Sequence, residues 1–277
     1  MRTADSPVIP VFRTEVAKQL RRPRTYVALG IAVLIPVIAT VALKANPPSP
    51  QAGEGGLFDL APQSGLLVPV AALRFMSRFL LVLIVSVFAG EIVAGEASWG
   101  NLRYLLLRPV GRSRLLGAKL GVAALFAVLA TGLIVLSGLV AGTIAFGWHG
   151  VSVPFAGIDQ SAAQLFGNVW LAAAYVAVNM TAVVAFGFMI STMTDTPSAG
   201  VGAAVGLYIL SQVLDAITAL GVIRHWLPTS HLDSWDVLFR GGGPNADMLR
   251  GVLLQAPYLV AFSAVAFWWF RRKDILS

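Results

Sequence analysis

The sequence predicts an all-α, polytopic membrane protein, and composition, apolar run length and charge placement carry that prediction. Of the 277 residues, 57% are apolar and 12% are charged, whereas soluble domains are about 45–50% apolar and about 25% charged. Apolar runs of about 20 residues, enough to cross a bilayer as a helix, recur along the chain. Most Lys and Arg side chains flank these runs. We expect a single transmembrane domain over residues 1–277, with a cytoplasmic interfacial helix (1–24), a six-helix membrane region (25–270) and a cytoplasmic tail (271–277).

The first predicted span covers residues 25–43. A long polar region precedes it, and its apolar run is longer than a signal-peptide core, so we interpret it as a retained helix. Pro36 is expected to kink it.

The second span allows two interpretations because residues 79–90 are too short to cross alone. The helix either starts near Arg74 and ends near Gly95, or it includes residues 66–73 and buries Arg74 and Arg78. We prefer the first, because an arginine near a helix end can extend its charge to water, whereas a charge at the bilayer centre costs about 2.5–3.5 kcal/mol. Residues 66–73 would then lie at the outer interface.

Four further spans are predicted at about 119–146, 168–190, 199–222 and 250–270, which gives six in total. Ser113 is a candidate cap for the helix that enters the third span. Thr196 and Pro197 suit the cap and first turn of the fifth.

The distribution of cations predicts the orientation, since cytoplasmic segments of membrane proteins are rich in Lys and Arg. One side holds Arg2, Arg13, Lys18, Arg21, Arg22, Arg24, Arg103, Arg108, Arg112, Arg114, Lys119, Arg271, Arg272 and Lys273. The other side holds Lys44, Arg74, Arg78, Arg224, Arg240 and Arg250. The richer side is therefore expected to be cytoplasmic, with both termini on it, in a multi-pass protein of the cell inner or plasma membrane.

The amino-terminal segment is predicted to form an amphipathic helix in the inner interface. Apolar side chains recur in it at intervals of three and four, which is the spacing of one helix face: Ile9, Phe12, Val16 and Leu20. Pro23 is expected to separate this helix from the first span. A membrane anchor and a partner-docking element remain alternative roles.

Catalytic and cofactor motifs are missing from the sequence. It has no phosphate-binding G-x-x-x-x-G-K-[ST] loop and no cysteine. His225, His231, Asp233 and Asp236 could be drawn as a metal site, but their spacing matches no standard pattern. The formal charge of +7 is explained by membrane topology, so no nucleic-acid partner is expected, and no catalytic, metal or cofactor residue is assigned.

Charged residues inside or beside the spans are functional candidates by default. We expect an intramembrane ion pair between Asp215 of the fifth span and Arg74 and Arg78 of the second. Asn179 in the fourth span is expected to hydrogen-bond to another helix. Glu91 and Glu96 close the second span at the inner surface and are expected to contact something cytoplasmic.

The cytoplasmic segment 95–120 combines an apolar helix face with cations. Pro109 and Gly111 break the helix before the chain returns to the membrane. Its sequence resembles the segment after the second span in permeases of the ABC type-2 export family. The residues concerned are Gly95-Glu96, followed by WGNLRYLLLRPVGR over residues 99–112. The family more often has Thr at the position of Asn101. Residues 190–200 and 227–235 also resemble stretches of these permeases.

This resemblance implies a permease subunit of an ATP-driven exporter, with a coupling helix after the second span. Such permeases pair with a second copy or a homologous permease and bind two copies of an ATP-binding subunit, which carries the ATP and Mg²⁺. The resemblance implies that seven residues transmit force from the ATPase and catalyse nothing: Glu91, Glu96, Trp99, Leu102, Arg103, Leu106 and Arg108. The chain itself would then not be an enzyme.

Two other functions compete with the permease. A lipid-modifying membrane enzyme would need His225, His231, Asp233 and Asp236 as its polar cluster. A non-transporting membrane scaffold or channel subunit would need none of these residues.

Overall fold

A computed structural model describes residues 8–46, 61–98, 111–153 and 158–272. Nine α-helices lie in these ranges: α1 (Val8–Leu20), α2 (Pro23–Ala45), α3 (Val68–Ser77), α4 (Leu80–Gly90), α5 (Ala94–Ser98), α6 (Arg112–Phe146), α7 (Ala162–Met193), α8 (Pro197–Ala216) and α9 (Ala246–Arg272). Short 3₁₀ turns and one small hairpin, β1 (Val151–Val153) with β2 (Ile158–Gln160), complete them.

The predicted all-α, multi-pass membrane character is confirmed. Within the described ranges, five helices are long and apolar enough to cross a membrane, namely α2, α6, α7, α8 and α9. A sixth span arises if the bent pair formed by Gly65–Ser77 and Leu80–Gly90 counts as one crossing. Helix α7 packs against α4, α6, α8 and α9, so it lies at the centre of the bundle.

The second span differs from the preferred prediction. Helix α3 begins at Val68, well before Arg74, and the chain bends by 60° between α3 and α4. Residues 66–73 are buried in the protein. The cause is close backbone packing on α6: a Cβ added to Gly138 would lie 2.8 Å from Pro69 Cα. Arg74 lies in the last turn of α3 and Arg78 lies at the bend, and both side chains are partly exposed.

The positions at which the helices start agree better with prediction than the residues that cap them. Helix α6 begins at Arg112 after an N-cap glycine, Gly111, so the predicted cap at Ser113 is wrong. Thr196 does occupy the N-cap position of α8, but its hydroxyl pairs with the Thr194 hydroxyl at 2.8 Å and caps no backbone N–H. A capping box at the start of α7, formed by Ser161 and Gln164, was not predicted.

The connection between α8 and α9 returns alongside the spanning helices. It contains two 3₁₀ segments, Thr218–Trp226 and Ser234–Phe239. The Tyr258 hydroxyl donates to the Trp226 carbonyl, and Gln255 Nε2 donates to the Pro228 carbonyl at 3.0 Å. At 1.5 Å per residue, Tyr258 lies about 18 Å along α9 from Ala246. The connection therefore extends along α9 and does not stay at the amino-terminal end of that helix.

Candidate functional site

Four charged side chains from three separate segments meet at the end of the bundle that the distribution of cations predicts to be cytoplasmic, which we call the inner end. We call Glu15, Lys18, Glu96 and Lys119 the inner cluster. Lys119 Nζ lies 2.7 Å from Glu15 Oε2 and 2.7 Å from Glu96 Oε2. Lys18 Nζ lies 2.7 Å from Glu15 Oε1 and 3.2 Å from Glu96 Oε1. The cluster thus joins α1, α5 and α6 through alternating charges.

Lys119 is the centre of the inner cluster. Its side chain is 2% exposed, and its ammonium also donates to the Ile92 carbonyl at 3.2 Å. A buried ammonium is costly unless acceptors surround it, and here two carboxylates and one carbonyl do so. Removing one partner of such an arrangement costs about 3–5 kcal/mol, because the remaining charge stays buried.

The titration behaviour of the α1 residues reflects this pairing. Burial pushes the pKa of Glu15 upward, but the attraction and hydrogen bonds of Lys119 and Lys18 outweigh burial and hold it below its ordinary value. Burial likewise lowers the pKa of Lys18, while Glu15 and Glu96 reverse that effect and raise it. Both pKa shifts favour the charged forms of Glu15 and Lys18.

A second ion pair lies beside the inner cluster. Glu91, directly after α4, pairs with Arg24 in the first turn of α2. Burial raises the pKa of Glu91, and Arg24 opposes that rise. The segment between α4 and α5 is therefore tied by charge to α2 as well as to α1 and α6.

Ser191 anchors the same segment from the opposite side. Its Oγ accepts hydrogen bonds from the backbone N–H groups of Val93 at 3.1 Å and Ala94 at 2.9 Å. A side chain of α7 thus satisfies the free N–H groups at the start of α5. Nearby, a Cβ added to Gly200 of α8 would lie 2.4 Å from the Gly90 carbonyl oxygen. Helices α4, α7 and α8 therefore meet directly beneath α5.

The predicted coupling residues divide into two groups. Glu91 and Glu96 form ion pairs within the protein, and their expected contact with a cytoplasmic partner stays a prediction. The other five lie outside the described residues: Trp99, Leu102, Arg103, Leu106 and Arg108. The sequence analysis missed Glu15, Lys119 and Ser191. The available signal was a charged residue within an otherwise apolar helix face, and it applied to Glu15 and Lys119.

Helix α1 forms as predicted, but it is rotated. Its buried positions are Glu15 and Gln19, while Phe12 and Val16 are half-buried against the core and Leu20 is 41% exposed. The Phe12 ring lies against Gly121 of α6. The side chain of Ile9 lies outside the described residues. The helix is turned by about a quarter turn from the predicted apolar face, because the carboxylate of Glu15 faces Lys119.

The predicted intramembrane ion pair has the wrong partner. Arg74 pairs with Asp236, and Arg78 Nη2 lies 2.5 Å from Asp233 Oδ2. Asp215 lies 3.6 Å from Arg224 Nε. The physical reason is the returning connection, which brings its own carboxylates next to the bend of the second span.

The remaining polar candidates hold helices together. Gln255 Nε2 of α9 donates to Asn179 Oδ1 of α7 at 3.1 Å, which confirms the predicted interhelical role of Asn179. In the part of the chain that the structure describes, no group of three or more His, Cys, Asp or Glu side chains is arranged to hold a metal ion. Asp233 and Asp236 are engaged by arginines as described above.

Comparison with known protein families places the chain. A family model described as "Protein of unknown function (DUF2705)" matches residues 60–276. The chain belongs to this family. The DUF2705 match includes Glu91, Glu96, Lys119 and Ser191 but begins after α1 and α2, so it excludes the Glu15 and Lys18 half of the inner cluster. A comparison with curated proteins finds no match.

Proposed function

We propose that this protein is the membrane-spanning permease subunit of an ATP-driven ABC exporter. It would form the translocation pathway with a second copy or a homologous permease, and two copies of a separate subunit would hydrolyse ATP. ATP and Mg²⁺ would belong to that subunit, which agrees with the lack of a phosphate-binding loop in this sequence. The positive-inside distribution of Lys and Arg supports an inner or plasma membrane location with both termini in the cytoplasm.

One observation carries the proposal. The segment that precedes the loop whose sequence resembles ABC type-2 permeases is bonded to four helices of the bundle. Glu96 of α5 bonds to Lys119 of α6 and Lys18 of α1, and the α5 backbone bonds to Ser191 of α7. Glu91, immediately before α5, pairs with Arg24 of α2. A displacement of the loop would therefore move α1, α2, α6 and α7.

The attachment of α5 to the bundle supports the same function. A mechanical input must be accessible from the cytoplasm and rigidly connected to the helices that line the pathway. A surface helix held only by lipid would need neither a buried lysine nor backbone bonds to a distant helix. The inner cluster, in which Glu15, Glu96 and Lys119 are buried and paired, supplies the rigid connection.

Co-purification tests the proposal. The protein should be co-expressed with the ATP-binding-cassette subunit encoded beside its gene, and the ATPase rate of the purified complex should be measured in lipid. We expect a stable complex, and we expect Leu102→Asp to lower the ATPase rate several-fold while the permease stays folded. Leu129→Asn, at an exposed position within α6, is the control for a general effect of polarity. Failure of any ATP-binding subunit to assemble with the wild-type protein would contradict the proposal.

A further inference from the structure

A groove runs between α7 and α9, towards the end of the bundle opposite the inner cluster. Its volume is about 530 Å³, which lies within the range of about 300–1,000 Å³ that is typical of ligand sites. Its walls are mostly apolar and include Leu171, Ala174 and Val178 of α7 and Leu249 and Val252 of α9. The groove is therefore a candidate binding site that is separate from the inner cluster.

The polar side chains of the groove are largely engaged by the protein itself. The Tyr175 hydroxyl donates to the His231 carbonyl. Asn245 Oδ1 accepts a hydrogen bond from the Met248 backbone N–H at 3.0 Å. A bound water needs about two to four polar partners, and the groove offers few. Its natural occupant is therefore apolar.

The groove is continuous with the lipid-facing side of α9. Leu249, Leu253 and Val260 lie on one face of this helix and are 60%, 60% and 67% exposed. Because α9 is long and apolar enough to cross a membrane, such a face lies against the hydrocarbon of the bilayer. Leu249 belongs both to this face and to the groove wall. A lipid chain can thus enter the groove from the side.

The depth of the groove matches the upper part of one leaflet. Trp268 and Trp269 precede two arginines, as expected at the inner membrane boundary. Val252, at the lower edge of the groove, lies 16 residues before Trp268, which is about 24 Å along the helix. With a hydrocarbon core about 30 Å thick, Val252 lies about 6 Å inside its outer boundary. Asn245 lies about 10 Å further out, at the level of the lipid ester groups.

We propose that the groove binds one acyl chain of an outer-leaflet phospholipid. The inference goes beyond the permease function and does not depend on it. An unfilled groove would forfeit dispersion contacts along both helices, and a flexible acyl chain restores them. Asn245 Nδ2, for which the described residues provide no hydrogen-bond acceptor, lies where it can donate to the ester carbonyl of that chain. The bound lipid would brace α9 against α7.

Photolabelling in detergent micelles tests the inference. The full-length protein would be illuminated with a phosphatidylcholine that carries a diazirine on one acyl chain, and the modified peptides would be identified by mass spectrometry. We expect labelling of residues 171–178 and 244–252 that saturates and that excess unlabelled phosphatidylcholine suppresses. Ala174→Phe, at an exposed position in the groove, should lower this labelling about tenfold, because the ring displaces several methylene groups of the chain. Ala264→Phe, at an exposed position of α9 about 18 Å below Val252, should leave it unchanged.

A second pair of variants changes polarity instead of volume. Leu249→Asn makes the groove wall polar, and Leu253→Asn makes the same change one turn away, at a leucine with the same exposure that does not line the groove. Only Leu249→Asn should weaken the labelling. Equal labelling of the wild type and all four variants would overturn the inference, because it would show lipid contact without a site. Absence of labelling at these residues in the wild type would also overturn it. Cross-links between two chains from Val178→Cys would then assign the groove to a second copy.

Discussion

At the scale of single residues, Lys119 is the side chain on which the inner end depends most. It is 2% exposed and touches two carboxylates. We predict that Lys119→Met lowers the free energy of unfolding by about 3–5 kcal/mol, because Glu15 and Glu96 are then left buried without a cation between them. Thermal unfolding in detergent measures this change.

Lys18 provides the comparison, since its side chain touches the same two acids but is 40% exposed. Lys18→Met should cost about 1 kcal/mol or less, because solvent screens the charge. The triple variant Lys119→Met, Glu15→Gln, Glu96→Gln should regain much of the stability lost by Lys119→Met alone. Equal effects of the two lysine substitutions would contradict the account of the inner cluster.

The pKa of Glu15 predicts an acid-sensitive contribution to stability. The pKa of Glu15 in the folded protein lies below the ordinary value of 4.5, because Lys119 and Lys18 attract the carboxylate. The stabilisation is therefore present above about pH 4.5 and disappears as the pH falls through the folded-state pKa. The difference in melting temperature between wild type and Glu15→Gln should be constant from pH 5 to 8 and shrink below pH 4.5. A difference that grew on acidification would show that burial, and not the two lysines, dominates this carboxyl group.

At the scale of elements, close glycine contacts determine how the helices meet. A Cβ at Gly200 would lie 2.4 Å from the Gly90 carbonyl oxygen. A Cβ at Gly202, which lies on the opposite side of α8, would meet nothing within 4 Å. We predict that Gly200→Ala destabilises by about 1–3 kcal/mol, since α4 and α8 must separate. Gly202→Ala should stabilise by up to about 1 kcal/mol through helix propensity. Thermal unfolding of the two variants side by side makes the comparison, and destabilisation by both would contradict the packing described here.

Sequence patterns predicted the elements well where one physical requirement dominates. Five spans and α1 follow from apolar run length and from charges at the run ends. The predicted start of the second span was wrong, because it depends on backbone contacts with α6 at Gly138 and Gly142. No local pattern of residues 66–78 indicates these contacts.

The candidate site was predictable in place but not in detail. Glu91 and Glu96 were expected to contact a cytoplasmic partner, and that contact stays a prediction. Their ion-pair partners within the protein, Arg24, Lys18 and Lys119, come from segments distant in sequence. The same is true of Arg74 and Arg78, which pair with the returning connection. Tertiary pairing of charges cannot be deduced from helical spacing alone.

At the scale of the whole molecule, orientation is the property on which the function depends. The chain contains no cysteine, so single cysteines can be introduced without background. We predict that Arg21→Cys and Gly111→Cys react with a membrane-impermeant thiol reagent only from the cytoplasmic side, because positive charge is concentrated there. His149→Cys and Gly243→Cys should react only from the opposite side. Labelling of right-side-out and inverted vesicles distinguishes the two, and labelling of all four from one side would contradict the multi-pass topology.

The central proposal is that a cytoplasmic ATP-binding subunit binds the loop that follows α5. Cysteine cross-linking tests it most directly. A photoactivatable cross-linker attached at Leu102→Cys should join the permease to the ATP-binding subunit in reconstituted membranes, with a yield that changes when ATP is added. The same reagent at His149→Cys should give no such product. Cross-links from Leu102→Cys to lipid or to the permease alone, with none to the ATP-binding subunit, would contradict the account.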